Sequence, residues 1–181
     1  NYPGLFMNGN VNSWAYPSIT IKNLNISSIA SSLATNAGWI CQAYYGRNVG
    51  NNYLTNLSSN GTIGNYNGGI CGSYTGQGAT LLYINNCYNT GIISGNNSGG
   101  IIANNCGISA LDITINNCYN SGTISGTASS GIVGPHVGAY GGVITITNNY
   151  NTGEISGTGA GGIMASNQHE NTQITLSGCY S

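Results

Sequence analysis

Ile84-Asn85-Asn86-Cys87-Tyr88-Asn89-Thr90-Gly91-Ile92-Ile93-Ser94-Gly95-Asn96-Asn97-Ser98-Gly99-Gly100-Ile101-Ile102 is one copy of a repeat, and most of the remaining chain consists of further copies. Placing the Gly-Ile step in register gives Ile40, Ile70, Ile101, Ile132 and Ile163, at intervals of 30, 31, 31 and 31 residues. The tyrosine keeps the same step in Tyr88, Tyr119, Tyr150 and Tyr180, at intervals of 31, 31 and 30. Two aliphatic columns run beside it, Ile84/Ile115/Ile146/Leu176 and Ile63/Ile93/Ile124/Ile155. A period of this length marks a solenoid or an array, in which each unit buries its apolar face only against its neighbours. Function therefore has to be sought in a stack rather than in a single pocket.

Within a unit, short β-branched stretches such as Ile113-Thr114-Ile115 alternate with Gly, Asn and Ser clusters, which is strand and turn chemistry in succession. The pattern predicts an all-β fold, a parallel β-solenoid of about five coils of about 31 residues. Three short strands per coil are expected, around Ile84, Ile93 and Ile101, with residues 104–112 bulging from a corner. Residues 1–18 lack the repeat and read as an N-terminal cap or assembly segment, leaving residues 19–181 as the repeat solenoid. In residues 26–33, apolar positions at i, i+3 and i+7 predict one or two helical turns.

Composition excludes several classes of function. Charged residues make up 3% of the chain, Lys22, Arg47, Asp112, Glu154 and Glu170, so the clustered Lys and Arg that bind nucleic acid or anionic membranes are missing. No stretch approaches the roughly 20 apolar residues of a membrane span. The chain starts without Met or an apolar leader, so any export signal is expected to be removed or to lie outside it. It also stops in mid-repeat at Ser181, which reads as a processed chain or a piece of a longer array.

Candidates for catalysis are few. Asp112, His136 and Glu170 fall in the loop half of consecutive units and could share a corner, while His169 and Glu154 complete the set of titratable candidates. Nothing fixes their geometry, and no enzymatic activity or cofactor is expected. The Gly-Gly steps lack the Asp of calcium-binding solenoids, and no Cys-x-x-Cys is present, so no metal is expected. Cys41 and Cys71 both follow the Gly-Ile step, and Cys87, Cys118 and Cys179 precede the tyrosine. Cys41–Cys71 and Cys87–Cys118 are thus candidate disulfides, set against the alternative of small buried thiols; Cys106 and Cys179 have no evident partner.

Two asparagine columns, Asn86/Asn117/Asn148 and Asn89/Asn120/Asn151, are expected to form amide ladders between coils. Thirteen tyrosines against one phenylalanine favour rings with a polar tip, as at interfaces. Tyr88, Tyr119, Tyr150 and Tyr180 are therefore the candidate binding ladder, on which sugar rings would stack. Sequons at Asn25, Asn56, Asn60 and Asn96 are candidate glycosylation sites.

The segment from Asn86-Cys87-Tyr88-Asn89-Thr90-Gly91 to Gly99-Gly100-Ile101 resembles the GLUG-motif repeat, Gly-Gly-(Ile/Leu)-Val-Gly followed by Asn-Cys-Tyr-x-x-Gly. The likeness runs from about Ile19 to the end and departs where the last Gly, kept as Gly72 and Gly134, becomes Ala103 and Ala165. The resemblance implies a solenoid in a repetitive, adhesin-like protein of a bacterial cell surface or a virion surface, without common enzymatic residues. The combined expectation is a non-enzymatic structural surface protein that assembles with copies of itself. The coil left unfinished at residues 178–181, with Cys179 and Tyr180, would be completed by Asn1, Tyr2 and Phe6 of the next copy. The alternative is an adhesin-like module or stalk that binds glycans through the tyrosine ladder.

Overall fold

The computed structural model describes residues 1–10, 12, 18–48, 50–166 and 172–181. The chain is a parallel β-solenoid of about five turns, and no helix occurs among the described residues. Its long strands are β1 (Ile19–Ile26), β2 (Asn51–Ser59), β3 (Leu81–Asn85), β5 (Asp112–Asn116), β7 (Val143–Thr147) and β9 (Gln173–Ser177). Two-residue strands β4 (Tyr88–Asn89), β6 (Tyr119–Asn120) and β8 (Tyr150–Asn151) lie between them. All pairings are parallel, in the order β8-β6-β4-β2-β3-β5-β7-β9, with β1 on β2. The nine-residue β2 serves both branches, its first half pairing β3 and its end pairing β4.

The break between the long and the short strand comes from one backbone position. Asn23, Asn56, Asn86, Asn117 and Asn148 all have φ between 53° and 58°, and Gly178 takes the same place at 61°. Only Gly, and less readily Asn or Asp, adopts this left-handed conformation at low cost. There the chain turns, so that Ile84 and Cys87 both point inward although they are three residues apart. The next residues alternate again, Tyr88 half-buried and Asn89 fully buried.

Inside, side chains stack in columns because the register places each residue over its equivalent: Leu54, Ile84, Ile115, Ile146 and Leu176 form one ladder. Ile63, Ile93 and Ile124 form a second, and Ile40, Ile70, Ile101 and Ile132 are fully buried in a third. The expected strands around Ile93 and Ile101 shrink to single bridges, Ile63↔Ile93↔Ile124↔Ile155 on one side and Cys71↔Ile102↔Val133↔Met164 on the other. The glycines flanking them force corners before a longer strand can form. Gly91, Gly122 and Gly153 stack so closely that a Cβ on Gly122 would be driven into the Gly91 carbonyl.

Two expectations are corrected in detail. Residues 26–33 are not helical: β1 runs to Ile26, Ile29 points fully into solvent, and the Ser28 N–H donates to Asn60 Oδ1 at 2.9 Å. A helical face needs a surface to cover, and Ile29 has none. Residues 104–109 do not bulge as a loop but form a stacked six-residue turn whose backbone bonds from coil to coil, Gly107 N to Thr75 O at 2.7 Å and Gly138 N to Cys106 O at 2.8 Å. Residues 1–10 lie on their own first coil, through the parallel bridges Tyr2↔Leu33 and Phe6↔Cys41 and a 5.6 Å stack of Tyr2 on Trp39.

Candidate functional site

The regular outer feature is the tyrosine column. Each of β4, β6 and β8 begins with a tyrosine pointing out and follows it with an asparagine pointing in, so a two-residue strand supplies both a surface ladder and the ladder beneath it. Tyr88–Tyr119, Tyr119–Tyr150 and Tyr150–Tyr180 have ring centroids 4.9, 5.0 and 5.2 Å apart and planes within 6° of parallel. Each inner ring is therefore covered on both faces by its neighbours, and edges and hydroxyls are what remain for solvent. The expected stacking of sugars on these rings finds no free face at Tyr119 or Tyr150. The Tyr119 phenol is pushed up by burial and by the flanking phenols of Tyr88 and Tyr150. A groove runs along the column, walled by Asn86, Asn117 and Asn148 opposite Tyr88, Tyr119 and Tyr150.

Beneath the rings lies a buried amide ladder. Asn89 Nδ2 donates to Asn120 Oδ1 at 2.7 Å and Asn120 Nδ2 to Asn151 Oδ1 at 2.8 Å, and Asn151 Nδ2 reaches Ser181 Oγ at 3.2 Å. The second amide proton of each closes onto the following Gly-turn carbonyl, at Gly91, Gly122 and Gly153. The outer column behaves differently: Asn117 and Asn148 donate to Asn85 and Asn116 of the preceding coil, one residue out of step, at 3.2 and 3.3 Å. Thus one of the two expected ladders is continuous and the other is a line of turns.

All six cysteines are free thiols, five of them buried. Cys41 and Cys71 are backbone partners across adjacent coils, and the buried Cys87 and Cys118 thiols reach backbone carbonyls, Cys87 Sγ at Asn85 O (3.4 Å) and Cys118 Sγ at Asn116 O (3.3 Å). Burial, then the neighbouring sulfur, holds the Cys71 and Cys118 thiols well above the usual range. Cys106, which sequence spacing left without a partner, joins this interior, with its Sγ 3.3 Å from the Gly72 carbonyl and its pKa pushed up to about 12 by burial. In the copy that lacks the cysteine, Asn149 fills its place and bonds Cys118 N at 2.8 Å and Ile115 O at 2.9 Å.

The other candidates are scattered. Asp112 opens β5 on the outer side, His136 sits in a six-residue corner turn at φ 59°, and Glu154 is exposed beside Ile155. His169 and Glu170 lie outside the described residues. Among the described residues no group of three or more His, Cys, Asp and Glu could hold a metal ion, and no helix is long and apolar enough to cross a membrane. Asn25, Asn56, Asn60 and Asn96 are all exposed, with the Asn56 amide bonded to Asn23 and the Asn60 amide to Ser27.

One surface feature was missed. Tyr44 and Tyr74 stack at 4.7 Å, both at positive φ, with Arg47 over the Tyr44 ring. Their spacing of 30 residues, continued by Asn105 and His136 at steps of 31, was the available signal.

Register, ladders and turns together define the chain as a parallel β-solenoid with a stacked tyrosine face. Comparison with protein-family models, with curated proteins and with solved structures gave no match.

Proposed function

We propose that this is a non-enzymatic structural protein of an extracellular, cell or virion surface, in which copies stack end to end and prolong the solenoid into a fibre. The observation that carries the reading is the equivalence of the two outermost strands. Ile19-Thr20-Ile21 of β1 and Ile174-Thr175-Leu176 of β9 occupy the same three columns, and neither strand has a second partner among the described residues. Because every strand is parallel, a copy translated along the axis meets its neighbour in the same sense and register. Such a head-to-tail contact repeats without closing and gives a filament.

Exposed apolar side chains support it at both ends, Leu5, Phe6 and Met7 near β1, and Ile155, Leu176 and Tyr180 near β9. Natural sheets usually guard their edges with charge, and here Lys22 is the sole charged residue on the two outer strands. Residues 1–6 bond to their own first coil in columns that follow the place where Tyr180 and Ser181 end, so the coil left unfinished behind β9 is continued by Asn1, Tyr2 and Phe6 of the next copy while β9 pairs with β1. The surface location rests on the resemblance of the units to GLUG repeats.

Sedimentation velocity across a concentration series tests the reading, with Leu176→Lys as the variant that places a charge in the junction. The wild-type chain should grow in mass with concentration and L176K should remain a single species. A wild-type chain that stays monomeric at the highest concentration would overturn end-to-end assembly.

A further inference from the structure

The groove beside the tyrosine column has a property that self-assembly does not use. It is built of three equivalent cells, Asn86 with Tyr88, Asn117 with Tyr119 and Asn148 with Tyr150, repeating once per coil. A site with translational repeats fits a ligand with the same repeat. The cells offer phenol hydroxyls and side-chain amides, which both donate and accept hydrogen bonds. Asn117 and Asn148 each spend one amide proton on the preceding coil and keep another proton and a carbonyl lone pair for a ligand. None of the six lining residues is charged, so neither an anionic nor a cationic polymer is selected. Ring faces are closed by the ring-on-ring stacking, so recognition has to come from edges.

We propose that this groove binds an extended, neutral β-1,4-linked glycan lying parallel to the stack axis, held by tyrosine hydroxyls and asparagine amides rather than by stacking on ring faces. In such a chain each pyranose advances by about the distance from one coil to the next and is turned by about half a revolution from the last, so every sugar falls opposite a cell and alternate sugars present the same edge to it. A hydroxyl-rich, uncharged strand matches the chemistry of the walls. Flexible or α-linked glycans curl away from a straight groove. The inference goes beyond the structural reading and does not depend on it, since the three cells lie within one copy.

Calorimetric titration of the intact chain with β-1,4-linked glucose oligomers and with β-1,4-linked N-acetylglucosamine oligomers, from dimer to hexamer, tests the proposal and separates the two sources of this linkage. Affinity should climb with length until the oligomer spans the three cells and then level off, for at least one series. Tyr119→Phe keeps the ring and its stacking but removes the hydroxyl of the central cell, and should bind about fivefold more weakly, the equivalent of roughly 1 kcal/mol. Asn117→Gly, which tolerates the left-handed corner, should weaken binding similarly while leaving the fold intact. Absence of binding by both series at millimolar concentration, affinity independent of length, or Y119F binding as tightly as wild type would each overturn the proposal.

Discussion

Asn120→Ala should be among the most damaging single substitutions in this chain. Asn120 is fully buried and makes four hydrogen bonds: it accepts from Asn89 Nδ2 at 2.7 Å and from Gly122 N at 3.3 Å, and donates to Asn151 Oδ1 at 2.8 Å and to Gly122 O at 2.7 Å. Alanine removes all four and leaves buried amide groups on three coils without partners. At roughly 1 kcal/mol net for each bond, the loss is about 4 kcal/mol. Asn117→Ala is the control, because Asn117 has the same chemistry and neighbouring position but is an exposed corner residue. It should cost only the left-handed backbone penalty, about 1–2 kcal/mol, and Asn117→Gly should be close to neutral. Urea unfolding followed by circular dichroism, with unchanged slope, reads both values. If N120A lost no more stability than N117A, the buried amide ladder would not be a main tie between coils.

Asn120→Asp extends this, since a carboxylate cannot donate to Asn151 or Gly122. Burial among acceptors raises its folded pKa, so the variant should be least unstable in acid and lose stability as pH rises above about 4, the ordinary aspartate value. Gly122→Ala should fail to fold or lose over ~3 kcal/mol, because the Gly91 carbonyl occupies the Cβ position; soluble yield and thermal unfolding report it. The Cys71, Cys106 and Cys118 thiols, raised by burial, keep their protons in the folded state, so the stability they contribute should be full below about pH 8.5, where unfolded cysteine titrates, and fall as pH rises toward the Cys106 value of about 12. Denaturation midpoints across that range check the sign. Native alkylation should label Cys179, the one cysteine not fully enclosed, before the other five; equal labelling of all six would contradict the buried sulfur columns.

The repeat made the solenoid legible, because identical residues 30 or 31 positions apart predict ladders whatever the handedness of the coil. Ile84, Ile115 and Ile146 announced the core, and Tyr88, Tyr119 and Tyr150 announced an outer column. What sequence did not separate was Asn86 from Asn89: both recur with the same step, and only the left-handed corner at Asn86 decides that the first faces water and the second the interior. The number of strands was misjudged because Ile93 and Ile101 look as strand-like as Ile84. Their flanking glycines allow one paired residue each, which is a matter of backbone closeness rather than of propensity. Residues 1–10 carried no pattern, since they join the stack through isolated backbone bridges such as those at Tyr2 and Phe6 and not through a side-chain column. The tyrosine ladder itself was visible, but whether its rings offered faces or edges depended on their tilt, which spacing does not encode.

Electron microscopy of the purified, unreduced chain tests the central claim most directly. The six strands β1, β2, β3, β5, β7 and β9 form one column, so copies joined β9 to β1 should give filaments with an axial rise of roughly 29 Å at the usual spacing of about 4.8 Å per strand. Isolated short rods at every concentration would contradict the proposal that the stack continues from one copy to the next.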